Sequence, residues 1–142
     1  MKTKMLAVLT ALLLTFVGKA QCPLTFQNLL GCNGSVDISW TFEDCTSTAC
    51  GTGGSATVPF MGTINIPCDP GCTSGTCNII ITLSAVNGCP ITPQSISWLT
   101  AASTPGGKAY TVISCAGAAC GNCCDSGNSV GIDTNTNFAW VN

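Results

Sequence analysis

The chain has 142 residues, with 12 Cys, 16 Gly, 7 Pro, no His and a formal net charge of −2. Three of its four cations (Lys2, Lys4, Lys19) fall in the first 20 positions, so beyond them Lys108 alone faces Asp37, Glu43, Asp44, Asp69, Asp125 and Asp133, a net charge of −5. That balance excludes a phosphate-tracking nucleic-acid surface, which needs many cations. The lack of His excludes His-dependent triads and His-ligated zinc sites.

The first segment reads as an address. Lys2 and Lys4 precede an apolar run, Met5–Val17, and Gly18-Lys19-Ala20 follows. This is the pattern of a secretory signal, with cleavage expected after Ala20 and a folded domain over 21–142. The run is 13 residues long, short of the roughly 20 that cross a membrane. No second run reaches that length, so an exported protein without a transmembrane segment is expected, secreted or held at the extracellular surface.

Short, β-branched segments follow. Strands are predicted at Leu24–Leu30, Val36–Phe42, Ala56–Phe60, Thr63–Pro67, Asn78–Val86, Ser95–Thr100, Ala109–Ser114 and Phe138–Val141. Val36, Ile38, Trp40 and Phe42 alternate with Asp37, Ser39 and Thr41, the pattern of a half-buried strand. Asn78–Val86 is more continuously apolar and suits a central strand covered on both faces. Trp40, Ile38, Ile80 and Trp98 are the expected core. Turn formers separate the segments: Cys32-Asn-Gly, Gly51-Thr-Gly-Gly, Asp69-Pro-Gly, Asn87-Gly and Pro105-Gly-Gly. No segment after residue 20 has a helical period. The fold class expected is all-β: a single disulfide-rich antiparallel β-sandwich with Gly-rich loops.

Twelve cysteines in 122 residues read as a disulfide framework in an exported chain. They are Cys22, Cys32, Cys45, Cys50, Cys68, Cys72, Cys77, Cys89, Cys115, Cys120, Cys123 and Cys124. An even number lets all of them pair. Cys45 with Cys50, and pairs within 115–124, are expected to be local, because short loops close easily. Cys115-x4-Cys120-x2-Cys123 resembles a plant-type ferredoxin loop, but no fourth Cys lies well downstream. Cys120-Gly-Asn-Cys123 resembles a thioredoxin-type redox motif. The residues after it are poor helix formers, and that chemistry needs a helix there. Structural bridges are therefore expected at both, with no metal or cofactor.

Gly31-Cys32 precedes Trp40 and Gly88-Cys89 precedes Trp98, at Cys-to-Trp spacings of 8 and 9. The order resembles immunoglobulin-like domains, where a Trp packs on a bridge, and the resemblance implies an immunoglobulin-like or related sandwich topology and no activity. In general character the chain is also similar to small secreted Cys-rich proteins of the Bacteroidetes bacteria, a likeness that carries no diagnostic motif.

Little else carries chemistry. Glu43-Asp44 is the only adjacent acid pair, and neighbours at a strand end point apart, which does not suit a glycosidase pair. Asp133-Thr-Asn-Thr-Asn137 opens like a calcium loop but has Phe138 where Gly is required, so a polar edge strand is expected instead. Asn33-Gly34-Ser35 is a glycosylation sequon, expected to be unmodified in a bacterial host. No catalytic residue is assigned.

Trp140 is the aromatic expected to be exposed and is the candidate binding residue. Sparse charge and unguarded sheet edges make a non-enzymatic extracellular structural protein, self-associating into a fibre or matrix, the leading reading. A carbohydrate-binding or adhesin module is the alternative, with extracellular polysaccharide as partner. The tail Thr134–Asn142 either closes its own sheet or is donated to a neighbouring copy.

Overall fold

The computed structural model describes residues 22–31, 34–69, 71–72, 75–113 and 128–142. The expected signal segment, Cys32, the Asn33 sequon and the cysteines at 115–124 lie outside these residues. The described chain forms strands β1 (Leu24–Asn28), β2 (Val36–Glu43), β3 (Ala49–Val58), β4 (Thr63–Ile66), β5 (Asn78–Val86) and β6 (Cys89–Ser97). A short helix α1 (Trp98–Ser103) follows, then β7 (Lys108–Val112), β8 (Ser129–Asp133) and β9 (Phe138–Val141). The fold is mostly β, with two sheets ordered β4-β1-β9-β8-β7 and β3-β2-β5-β6.

Period-two alternation builds the interior. Leu24, Phe26, Ile66, Val130, Ile132 and Val141 of the five-stranded sheet share one buried cluster with Val36, Ile38, Phe42, Ile79, Ile81 and Leu83 of the four-stranded sheet. Burying such a side chain stabilises by roughly 1.5–3 kcal/mol. β5 is central, as expected, yet covered on one face only: Ile79, Ile81 and Leu83 point inward while Ile80 and Thr82 are half-buried on the outer side. Ile38 and Trp98 are buried. Trp40 is only half-buried, because it sits at the margin of the core where the β2–β3 register shifts.

Several expectations change. The sheets are not wholly antiparallel: β1 runs parallel to β9, with Thr25 opposite Phe138 and Gln27 opposite Trp140. The tail strand β9 is internal, lying between β1 and β8. Ser129–Asp133, not predicted as a strand, is β8, and Asp133–Asn137 closes the β8–β9 hairpin instead of forming an edge. Trp98–Ser103 is helical, too short to show a period, and starts where the Ser97 hydroxyl accepts from Thr100 N at 3.0 Å. Trp40 lies within a strand and Trp98 opens this helix, so the two Cys–Trp segments are not copies of one local structure.

The Gly51-Thr-Gly-Gly stretch belongs to β3 and is not a turn. Gly51 and Gly53 have φ of 68° and 62°, a region open to Gly without strain. A Cβ on Gly53 would lie 2.4 Å from the Trp40 carbonyl. The reversal between β2 and β3 is made by Asp44, whose Oδ1 accepts from Thr46 N at 2.8 Å and Thr48 N at 3.0 Å. Asn87 and Gly88, at φ 50° and 75°, form the two-residue turn between β5 and β6, as such a pair does.

Among the described residues three disulfides pin one end: Cys22–Cys68, Cys45–Cys77 and Cys50–Cys72. The local Cys45–Cys50 bridge is therefore not formed. The two residues face different partners because the hairpin between them sends Cys45 toward the start of β5 and Cys50 toward the β4–β5 crossover. Cys89, expected in a bridge, carries a free thiol at the first position of β6. At the opposite end, buried Asn28 does the pinning. Its Nδ2 donates to Gly34 O at 2.8 Å and Val58 O at 3.0 Å, and its Oδ1 accepts from Leu30 N at 3.1 Å. Among the described residues no helix is long and apolar enough to cross a membrane.

Candidate binding face

The inward residues of β9 are small or medium, Ala139 and Val141, so Phe138 and Trp140 point to the outer face of the five-stranded sheet. Register then decides what they meet. Tyr110 of β7 lies opposite Gly131 of β8, which lies opposite Trp140, which lies beside Gln27 of β1. In the next row Lys108, Asp133, Phe138, Thr25 and Asn65 succeed one another across β7, β8, β9, β1 and β4.

Gly131 explains how a large indole sits on this sheet. A Cβ there would lie 2.5 Å from Cζ2 of Trp140 and 2.8 Å from Cε2. The indole therefore lies across the glycine, toward Tyr110, in the manner of an aromatic covering a cross-strand Gly. Phe138 stacks beside it, with ring centroids 6.4 Å apart and planes 15° from parallel. Trp140 and Phe138 are half-buried, whereas Tyr110 is 72% exposed and Val112 57%.

Polar groups border the rings. Thr25 Oγ1 donates to Asn65 Oδ1 at 3.1 Å. Lys108 Nζ and Asp133 Oδ2 are 2.9 Å apart. The hydrogen bond from Lys108 holds the Asp133 carboxyl below its ordinary range, against the opposing effect of its burial. Cation and carboxylate cancel, so the described residues of this face present rings, amides and hydroxyls with no uncompensated charge.

The calcium-like segment does not converge on an ion. Asp133 Oδ1 accepts from Asn135 N at 2.9 Å, Thr134 Oγ1 donates to Gly107 O at 3.0 Å, and Asn135 Nδ2 donates to Gly106 O at 2.7 Å. Asn137 Nδ2 donates to Pro23 O. These side chains point to neighbouring loops and tie the hairpin down. No group of three His, Cys, Asp or Glu able to hold a metal occurs among the described residues.

A second concavity, about 480 Å³, lies beside the bridged end and is lined by Trp40, Phe42, Pro67 and Asp69 with Gly51–Gly53 and Gly71. Asp69 is a latch there. Its Oδ2 accepts from Thr52 N at 2.7 Å and its Oδ1 from Gly71 N at 2.8 Å. These backbone donors, Thr52 first, lower its pKa. Glu43 and Asp44 are likewise engaged separately, Glu43 Oε2 by Asn78 Nδ2 at 2.8 Å and Asp44 by the turn it closes.

Of the residues singled out from the sequence, Trp140 lies on this outer face. Tyr110, Phe138, Gln27, Thr25 and Asn65 join it, and sequence reading missed them. The available signal was parity: Lys108, Tyr110 and Val112 share one face of a strand, as do Phe138 and Trp140. Which strands adjoin was not legible. No family model, no curated protein and no solved structure matches the chain.

Proposed function

We propose that the protein is a secreted, non-enzymatic β-sandwich module, immunoglobulin-like in its pairing of the first strand parallel to the last, that binds carbohydrate on the outer face of its five-stranded sheet. The observation that carries this reading is the register that brings Tyr110, Trp140 and Phe138 together on a rigid sheet, bordered by amides and hydroxyls. An aromatic face carries partial negative charge. The C–H groups of a sugar ring carry partial positive charge, so the two stack, and Gln27, Thr25 and Asn65 supply hydrogen bonds. The test is retention of the oxidised protein on a panel of immobilised glycans against bare matrix. Retention by the native protein and its loss in Tyr110→Ala support the reading. Equal passage through every glycan and the bare matrix refutes it.

A second reading, the self-associating fibre or matrix subunit, is favoured by β3. This edge strand of ten residues carries no charge and no Pro, and such edges recruit further strands. It ranks second because its first half is broken by the positive φ of Gly51 and Gly53, leaving only Gly54–Val58 regular. The other edges are guarded by Pro90 and Pro93 in β6, by the shortness of β4 and by Lys108 in β7. Concentration-dependent polymers that Ser55→Lys abolishes would establish this reading over the first. A monomer at all concentrations would remove it.

A further inference from the structure

Resting on the carbohydrate reading, we infer that the ligand is an uncharged polysaccharide whose chain lies across the strands, along the row Tyr110–Gly131–Trp140–Gln27, and is held at internal sugars. Three observations bear on this.

The first is direction. Tyr110 and Trp140 are on β7 and β9, and between them the row has only Gly131, over which the Trp140 indole extends. Tyr110 and Trp140 are therefore aligned perpendicular to the strands, with Phe138 stacked beside Trp140 along β9. Gln27 of β1 and Thr63 of β4 continue the row with polar groups. A ligand following the row first stacks and then hydrogen-bonds.

The second is extent. The row crosses all five strands, and β7 and β4 are the two edges of the sheet. At the ordinary spacing between strands the row is about 19 Å long, several sugar rings in length. Tyr110, the most exposed ring of the set, is at one margin. A single sugar could stack on one ring only, whereas a chain engages both.

The third is charge. Lys108, the only cation of the described residues, is committed to Asp133 at 2.9 Å. None of the described residues on the face offers an uncompensated positive charge to a uronate or sulfate group, and residues 21–142 carry a net charge of −5. Neutral sugars bring no desolvated charge onto such a surface, whereas polyanions are repelled.

Affinity electrophoresis of the oxidised protein in gels containing hydroxyethyl cellulose, xylan, galactomannan or polygalacturonate tests all three. Retardation is expected in at least one neutral gel and unchanged between low and high salt, with none in polygalacturonate. Competing oligosaccharides should act more strongly as they lengthen, and their monosaccharide not at all. Tyr110→Ala, which removes an exposed ring and leaves the core intact, should weaken retardation about tenfold, the loss typical of truncating one binding aromatic. Thr82→Ala on the other sheet should leave it unchanged. Salt-sensitive retardation by polygalacturonate alone would overturn the uncharged ligand while leaving a glycan-binding protein. Competition by the monosaccharide equal to that of its oligomers would overturn the extended mode. Unchanged retardation of Tyr110→Ala would overturn the location. Retardation in no gel would overturn the carbohydrate reading beneath it.

Discussion

Gly131→Ala isolates the contact on which the outer face depends. The backbone there is not in the left-handed region, so the substitution is a steric perturbation alone. The new Cβ would stand 2.5 Å, 2.8 Å and 3.0 Å from Cζ2, Cε2 and Cη2 of Trp140. Carbon atoms in contact prefer about 3.5–4.0 Å, so the indole must lift by about 1 Å or rotate off its bed. Overpacking of this kind costs about 1–3 kcal/mol. In a Trp140→Ala background the same methyl has room. There it should be mildly favourable, since Gly in a strand interior is worse than Ala by about 0.5–1 kcal/mol. The two substitutions should thus couple by about 2 kcal/mol or more. Guanidinium unfolding with bridges intact, followed by far-UV circular dichroism so that loss of a Trp does not change the probe, measures all four corners of the cycle. Equal effects of Gly131→Ala in both backgrounds, or no cost beside the intact indole, would refute the account of Trp140 lying on Gly131.

Deletion of Asn137–Asn142 removes a strand that separates β1 from β8 and should unfold the protein; a folded truncated monomer by circular dichroism would contradict its internal place. Asn28→Leu strands the carbonyls of Gly34 and Val58 and the Leu30 N–H, each at about 1–3 kcal/mol, so several kcal/mol should be lost in denaturant unfolding, and a change under 1 kcal/mol would show that water replaces the amide. The folded pKa of Asp133 lies below the ordinary 3.8, so its contribution is complete above that pH and is lost as pH falls through the folded value; Asp133→Asn should flatten this acid limb, and an unaltered limb would discount the Lys108 pair. Peptide mapping without reduction should recover Cys22–Cys68, Cys45–Cys77 and Cys50–Cys72, with Cys89 taking up an alkylating reagent; a Cys45–Cys50 peptide would overturn the pairing.

What was readable in the sequence follows from the range of each interaction. Alternation is a local property, and Phe138–Val141 and Asn78–Val86 are strands at the predicted bounds. The Asn87–Gly88 turn was legible because its chemistry sits in two residues. Ser129–Asp133 was not, because Gly131 weakens it locally and is explained only by the indole of another strand. Gly51 and Gly53 looked like a turn for the same reason: their conformation answers the Trp40 carbonyl on the neighbouring strand and the Asp69 carboxylate in the β4–β5 crossover. The disulfide pairs were invisible to loop-length reasoning, since the crossover from β4 to β5 brings Cys68, Cys72 and Cys77 to the far-separated Cys22, Cys50 and Cys45. At the candidate face one residue, Trp140, could be named, and its neighbours depend on β9 lying between β1 and β8.

The same device appears in both sheets with opposite consequences. Trp40 lies over its cross-strand partner Gly54, with a Cβ there 2.4 Å from the indole, and faces the core side. Trp140 lies over Gly131 and faces out. The difference is parity: β2 turns Val36, Ile38 and Phe42 inward, whereas β9 turns Ala139 and Val141 inward and its larger rings outward. Folding alone disfavours the second choice, because full burial of a large apolar side chain is worth roughly 1.5–3 kcal/mol. A register slip of one residue would exchange the two sets. It is opposed from both sides, by the parallel pairing of β9 to β1 and by a hairpin turn anchored to the Gly106–Gly107 loop. The five-stranded sheet thus keeps Tyr110, Phe138 and Trp140 on its outer side, beside the paired Lys108 and Asp133.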